Sequence, residues 1–176
     1  MRTALSIAGV AIFVLTAAGT ALAQGSGAEA RLKQLNITLP ADQAPAANFV
    51  NSVQAGKLLF LSGNTPGGQW PLKGKVGKDL TIEQGYESAR QTGIIMLGKI
   101  RTALGSLDRV KRVVKVLGMV NSADGFSDQP KVVNGFSDLM VEVFGEAIGK
   151  HARSAVGMAG LPGNAPVEVE MIVEVE

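Results

Sequence analysis

The chain has 176 residues, a formal net charge of +2 and 46% hydrophobic residues, which excludes a disordered chain and gives no general attraction to nucleic acid. The absence of cysteine excludes disulfide scaffolds, thiolate metal sites and cysteine nucleophiles. The single histidine, His151, excludes multi-histidine metal sites, so we expect no metal and no cofactor.

The first residues have the layout of a secretory signal peptide. Arg2 precedes an apolar run from Ala4 to Ala18, and Ala21-Leu22-Ala23 offers small residues at both positions that cleavage requires. We expect residues 1–23 to be removed and the protein to be secreted or periplasmic, without stable membrane association. The alternative is an uncleaved anchor, because an apolar segment of about 20 residues is just long enough to span a bilayer.

The next segments predict a leader, a hairpin and a long loop. Residues 24–48 form the leader, in which helical spacing of apolar residues predicts a short helix over Ala28–Leu35. Two apolar runs, Phe49–Gln54 and Lys57–Leu61, are joined by a glycine-containing turn and predict a hairpin of two strands. Gly63–Lys78 is rich in glycine and proline, which is typical of a loop.

The strongest local signal is a capping box. Thr81 and Gln84 stand three residues apart, as the first turn of a helix requires, and Gly105 is a typical C-terminal stop. Apolar residues at helical spacing fill the segment between them. A second helix is expected to begin at Asp128 and Pro130 and to end at one of two glycines, Gly145 or Gly149.

Three further segments predict strands. Val110–Leu117 is rich in β-branched residues with one half-solvated face, Ala152–Ala159 is apolar, and Val167–Glu176 alternates strictly between apolar residues and mostly glutamate. The resulting order, β-β-α-β-α-β-β, predicts an α+β domain with a single sheet and both helices on one face. Apolar residues on the other face would then need another subunit to cover them.

Several candidate groups are better explained as ordinary surface features. The glycine-rich segments do not run from a strand into a helix, as phosphate or dinucleotide loops do. The basic clusters lack aromatic residues for base stacking, so we interpret them as a solvated strand and loop. We interpret His151 as a turn residue at a strand entrance. The two clusters are Lys73, Lys75, Lys78 and Lys111, Arg112, Lys115.

Arg153 and Glu168 are the two charged residues that point most clearly to a site. Arg153 stands in an otherwise apolar strand, where an unpaired guanidinium would be costly to bury. Glu168 lies in the following strand, and two neighbouring strands bring such side chains within contact distance. This leaves two interpretations open, a salt bridge between strands or a ligand-binding pair.

The residues around this pair resemble a known family. Arg153-Ser154, followed by Leu161-Pro162 and by Val167-Glu168-Val169-Glu170, is similar to the C-terminal signature of the RidA family, also called YjgF/YER057c/UK114 or L-PSP endoribonuclease-like. Upstream, Leu58-Leu59-Phe60-Leu61-Ser62-Gly63 resembles the second strand and Ser-Gly turn of that family. The resemblance covers residues 49–176, which we take as the RidA-like domain, and indicates a subgroup of longer members.

This resemblance implies a chorismate mutase-like fold and a homotrimer with ligand clefts between subunits. It implies that Arg153 clamps a substrate carboxylate, which suits the bidentate geometry of a guanidinium, and that Glu168 positions or activates water. It also implies contributions from the Ser62-Gly63 turn and from nearby residues. Phe49 stands where many members have tyrosine, Asp124 lies in the turn before the second helix, and Ser154 follows the arginine.

Three functions are compatible with this resemblance. The first is an exported enamine/imine deaminase, which hydrolyses reactive imines and releases ammonia. The second is a non-catalytic protein that binds small carboxylates or similar metabolites in the same clefts. The third, an endoribonuclease, is least favoured because a pair of histidines for general acid and base catalysis is missing. The expected partners are therefore further copies of the chain and a small carboxylate- or imine-bearing metabolite.

Overall fold

The computed structural model describes residues 27–176, and the predicted signal peptide lies outside them. None of the helices in this part of the chain is long and apolar enough to cross a membrane. Single 3₁₀ turns precede the third and fifth strands. The helices and strands are, in chain order, α1 Ala28–Gln34, β1 Ser52–Ala55, β2 Leu58–Asn64, α2 Ile82–Leu104, β3 Val110–Asn121, α3 Gln129–Phe144, α4 Glu146–Gly149, β4 Ala152–Met158 and β5 Val167–Val175.

The strands form one five-stranded sheet in the order β1-β2-β5-β3-β4. The predicted hairpin is confirmed as the antiparallel pair β1 and β2, although β1 begins at Ser52 and leaves Phe49 outside the strand. All other neighbours are antiparallel except β3 and β4, which are parallel and form one edge of the sheet. The last strand of the chain therefore lies at the centre of the sheet.

The two central strands differ in how regularly they alternate. In β5 the apolar residues from Val167 to Val175 are buried at every second position, as predicted. In β3 the pairing with β5 shifts twice, between Val110 and Arg112 and between Val113 and Lys115, so the regular alternation of a strand with one half-solvated face is broken. Each shift inserts one extra residue and so turns the next valine back toward the core, because successive residues of a strand point to opposite faces.

The two long helices begin and end where their capping residues predict. The Thr81 hydroxyl accepts from the backbone N–H of Gln84 at 3.2 Å, and the Gln84 side chain accepts from Thr81 N–H at 3.0 Å. Gly105 ends α2 in the left-handed conformation with φ of 80°. In α3, Pro130 lies in the first turn and Gly145 ends the helix.

Both long helices pack on the same face of the sheet, which confirms the predicted α+β class. The core lies between the two layers and includes Leu97 of α2, Phe136 of α3 and Val116 of β3, all fully buried. α1 packs onto this core through Leu32. The opposite face, here called the open face, has no second layer within the described residues.

The glycine-rich loop that we expected over residues 63–78 begins two residues later, because Gly63 and Asn64 belong to β2. Two side chains tie the irregular segment after β2 to the rest of the domain. The Trp70 indole N–H donates to Ser88 of α2 at 2.9 Å. Lys75 is not the solvated residue that we expected, because its ammonium group has three oxygen acceptors within the domain. These are Asn121 Oδ1 at 3.0 Å, the Ser122 carbonyl at 3.1 Å and the Ala159 carbonyl at 2.7 Å.

Candidate functional site

Arg153 lies in the edge strand β4 and points toward α3. It pairs with Val116, which faces the core, so its side chain leaves the sheet on the helix side. One terminal nitrogen donates to Asn134 Oδ1 and to Ser137 Oγ, both at 2.9 Å, and the other donates to the Pro130 carbonyl at 3.4 Å. Within residues 27–176 no carboxylate forms a salt bridge with this guanidinium, so neutral groups of α3 hold it.

Arg153 and Glu168 do not form the salt bridge that we considered. β3 lies between β4 and β5, so the two strands are not neighbours. Glu168 pairs with Met119, on the face opposite to that of Arg153 and Val116. The expectation of contact within one chain was wrong because it assumed that strands adjacent in sequence are adjacent in the sheet.

Arg153 keeps one edge of its guanidinium available. A guanidinium has five N–H donors, and the contacts with α3 engage three of them. Of the remaining donors, the Nε–H has no acceptor within the described residues, and this N–H and the terminal N–H beside it form one edge of the guanidinium. That edge has the geometry for bidentate binding of a carboxylate.

Glu168 lies half-buried on the open face, next to Ser62 and Gly63, which belong to β2 and do not form the turn that we expected. Burial, and to a lesser degree the neighbouring charge of Glu170, raises the pKa of the Glu168 carboxyl above its usual 4.5. The carboxylate lies directly against Gly63, where a Cβ atom would overlap Oε1. A side chain at position 63 is therefore incompatible with the present position of Glu168.

Ser62 of β2 forms hydrogen bonds with the segment that precedes β1. Its hydroxyl donates to the Val50 carbonyl at 2.6 Å and its backbone N–H donates to the Asn51 carbonyl at 3.0 Å. The pairing between β2 and β5 is irregular between Leu61 and Asn64. This irregularity interrupts the ladder at the part of β2 that faces Glu168, as a β-bulge does beside many functional sites.

A cavity of about 600 Å³ lies on the open face and brings three predicted residues together, Phe49, Ser62 and Ser154. Its walls are mostly apolar, and the charged groups in it are Lys115 and Glu170. The Lys115 ammonium donates to Ser154 Oγ at 2.9 Å. Lys115 is thus part of a cavity, although the sequence suggested only a solvated strand.

One chain does not assemble all the predicted residues into a single site. Gly63 of β2 and Glu168 are in contact, while Arg153 is on the other side of the sheet. Asp124 is exposed in the turn after β3 and lines none of these features. His151 lies just before β4, as predicted, and is half-buried against Phe136.

Sequence reasoning missed the residues that hold Arg153 in place. Asn134 and Ser137 are three positions apart in α3 and therefore share one helix face, which was the available signal. What the sequence did not show is that this face meets β4. Within the described residues, no group of three or more histidine, aspartate or glutamate side chains could hold a metal ion.

The chain is similar to several known proteins. It matches a family model described as "YjgF/chorismate mutase-like, putative endoribonuclease" over residues 29–175. It is 47% identical over 149 residues to Protein TCP17 of Trypanosoma cruzi, covering 82% of this chain and 92% of that protein. It is 29% identical over 140 residues to the 2-iminobutanoate/2-iminopropanoate deaminase of Dermatophagoides farinae, covering 80% and 95%. The crystal structure of Atu1372 from Agrobacterium tumefaciens, of unknown function, is 40% identical with a TM-score of 0.76, covering 84% and 91%.

A single sheet with two long helices on one face is an α+β domain of the chorismate mutase-like type. Arg153 lies at the edge of this sheet. The chain belongs to the RidA (YjgF) family.

Proposed function

We propose that the protein is an imine deaminase that hydrolyses small 2-imino acids in clefts between the subunits of a homotrimer. The available guanidinium edge of Arg153 carries this proposal, because it matches the carboxylate of such a substrate. The similarity to a 2-iminobutanoate/2-iminopropanoate deaminase supports the choice of substrate class.

The proposed reaction needs one positioned carboxylate besides the arginine. Arg153 binds the substrate carboxylate, and a water molecule attacks the protonated imine carbon while Glu168 accepts a proton from that water. The new C–O bond gives a carbinolamine. Glu168 returns its proton to the nitrogen, and its carboxylate then takes the hydroxyl proton as the C=O bond forms and the C–N bond breaks. Ammonia leaves and takes up that proton as ammonium, and the 2-oxo acid remains. The raised pKa of Glu168 makes it a stronger base than an ordinary glutamate.

The separation of Arg153 and Glu168 within one chain supports a cleft shared between subunits. β3 lies between their strands, and the two side chains leave the sheet on opposite faces. A symmetric oligomer can bring Arg153 of one subunit to Glu168 of the next. The open face also carries exposed apolar side chains that a second copy would cover, including Val53, Phe60 and Val156.

The remaining predicted residues are assigned supporting roles in the same proposal. Ser62 and Gly63 form the irregular part of β2 beside Glu168, and Phe49 and Ser154 line the adjoining cavity. Asp124 would reach a ligand only from a neighbouring subunit, since it is exposed in its own chain. We also propose that the protein is exported and cleaved after Ala23, with no resident metal or cofactor.

A turnover assay tests the activity. The full-length and signal-free proteins are supplied with 2-iminobutanoate generated in place by an amino-acid oxidase, and ammonia release is followed with and without the protein. Faster release supports the deaminase. Binding of 2-oxobutanoate, measured by calorimetry, without faster ammonia release would identify the metabolite-binding alternative. The absence of both binding and turnover would refute the proposed site. Cleavage of RNA by His151 is not supported, because both ring nitrogens already have partners in the chain.

A further inference from the structure

His151 is held in one tautomer by the backbone that precedes β4. Its Nδ1 lies 2.6 Å from the Gly149 carbonyl oxygen. A carbonyl oxygen only accepts hydrogen bonds, so Nδ1 carries the hydrogen and the Nε2 of the neutral ring is an acceptor. The ring edge packs against Phe136 at an interplanar angle of 81°, which fixes its orientation.

Ser137 connects this imidazole to Arg153. Its Oγ lies 3.1 Å from His151 Nε2, and because that nitrogen is an acceptor, the serine hydroxyl is the donor. The same oxygen accepts from the Arg153 guanidinium at 2.9 Å. The direction of the hydroxyl is therefore determined at both ends, and its lone pair points at the arginine. The chain of hydrogen bonds runs from the guanidinium through a serine to a neutral histidine.

We propose that Ser137 and His151 are positioning residues for Arg153, which act together to hold the unused guanidinium edge in the orientation that binds a carboxylate. This inference rests on the clamp role of Arg153 given above and adds the pair that sets its orientation. Asn134 and Pro130 contact the same guanidinium, but Asn134 is exposed and the Pro130 contact is long at 3.4 Å. Of these contacts, Ser137 is the one whose hydroxyl is itself oriented by another side chain, that of His151.

Protonation of His151 would break this arrangement. An imidazolium has no acceptor, so its Nε2–H would compete with Arg153 for the serine oxygen and place a second cation beside the first. Burial lowers the pKa of His151 below its usual 6.5, the hydrogen bond to the Gly149 carbonyl offsets part of this, and the charge of Arg153 lowers the pKa further. The lowered pKa keeps the ring neutral near pH 7. The carboxylate affinity should therefore be constant above this lowered pKa and fall as the pH drops through it.

The charged groups on the neighbouring elements have other partners. Lys115 of β3 donates to Ser154 on the open face. On α3, Asp138 accepts from Tyr86 and Glu142 pairs with Arg90, both across to α2. Lys131 pairs with Asp128 near the start of α3, and Glu146 of α4 pairs with Lys150. Arg153 is thus the charge among the described residues that acts on the imidazole.

Four variants separate positioning from a merely structural role. Ser137→Ala removes the hydroxyl that connects His151 to Arg153, and Ser137→Thr keeps a hydroxyl and is the matched control. His151→Gln offers an amide oxygen that can accept from Ser137 but does not titrate, whereas His151→Phe keeps the ring shape without an acceptor. Binding of 2-oxobutanoate is measured by calorimetry between about pH 8 and about pH 5, and KM and kcat are measured alongside.

We expect Ser137→Ala and His151→Phe to weaken binding and raise KM about tenfold near pH 7.5, as for loss of a hydrogen bond to a charged group, with little change in kcat. Ser137→Thr should retain wild-type affinity. His151→Gln should bind normally near pH 7.5 and lose the fall in affinity at acidic pH. Unchanged KM in Ser137→Ala, or an acidic fall that persists in His151→Gln, would overturn the proposal.

The wild type separates this inference from the proposed function. If the wild type neither binds 2-oxobutanoate nor turns over the imine, the carboxylate-binding role of Arg153 is rejected. If the wild type is functional and the variants have wild-type affinity and KM, only the positioning role of Ser137 and His151 is rejected. Because His151 is the single histidine in the sequence, its ¹⁵N resonances report the tautomer without assignment. We expect hydrogen on Nδ1, and hydrogen on Nε2 in the neutral wild type would contradict the inference directly.

Discussion

Gly63 offers a way to move the Glu168 carboxylate without changing its chemistry. In Gly63→Ala the new Cβ would overlap Oε1 of Glu168 and lie 3.3 Å from its Cδ. Gly63 does not have a positive φ, so alanine is compatible with the backbone there. The carboxylate has to swing by about 1 Å to restore an ordinary van der Waals separation.

This displacement should affect catalysis far more than folding. Moving a catalytic group by about 1 Å costs about 100-fold in rate, which corresponds to about 2.7 kcal/mol in the activation barrier. The overlapping atom is the free end of a half-exposed side chain, so the free energy of unfolding should change by no more than about 1 kcal/mol. A large loss of turnover with a nearly unchanged melting temperature is the expected result.

The assay compares kcat/KM for 2-iminobutanoate and the melting temperature of the wild type and two variants. The matched control is Gly68→Ala in the following loop, where an added Cβ has no atom within 4 Å and φ is not positive. The control should retain wild-type turnover. If Gly63→Ala also retains it, the carboxylate of Glu168 is not at the reacting centre, and the reasoning is refuted.

The other predictions concern Arg153, Glu168 and the N-terminus. Arg153→Lys keeps the charge but loses the planar pair of N–H donors. The affinity for 2-oxobutanoate, measured by calorimetry, should therefore fall about tenfold or more, and an unchanged affinity would argue against bidentate binding. Glu168→Gln should impair turnover more than binding. It should not lower the melting temperature at pH 7, because a raised pKa means that ionisation of Glu168 opposes folding once the pH exceeds the usual pKa of glutamate. In the wild type, kcat/KM should fall as the pH drops through that raised pKa, and a wild-type pH profile without this acidic limb would contradict the role of Glu168 as base. The exported protein should begin at Gln24 by mass spectrometry, whereas Met1 retained in a membrane fraction would support the anchor.

The parts of the fold set by local contacts were predictable from sequence. The capping box at Thr81 and the stop at Gly105 involve residues within one helical turn, and both are confirmed. The alternation of β5 is also local, since each side chain points to the face opposite that of its neighbour in sequence. Such signals need no knowledge of which elements meet.

The arrangement of the candidate site depends on pairings between distant segments. Arg153 and Glu168 are separated by β3, which enters the sheet from earlier in the chain, and no local pattern indicates this order. The family resemblance identified both residues but not their faces. The contact of Lys115 with Ser154 spans 39 positions, and it arises from the parallel pairing of β3 with β4.

Irregularities in the strands were equally hidden. The two register shifts in β3 change which valines are buried, although the sequence there reads as a plain alternating strand. The sequence indicated that Lys75 belongs to a solvated cluster, whereas its ammonium donates hydrogen bonds to three oxygen acceptors beside the end of β3. In both cases the outcome depends on how backbone groups of other segments are placed.

The sharing of one site between two subunits is tested most directly by mixed oligomers. Arg153→Ala and Glu168→Ala chains, each expected to be inactive alone, are co-expressed with different tags and purified through both, so that every assembly, a trimer in the proposed function, contains both kinds of chain. If Arg153 of one subunit serves Glu168 of the next, about one site in three then has both residues intact, and turnover returns to about a third of the wild-type value. Verified mixed trimers of the two single variants that remain inactive would contradict the shared site.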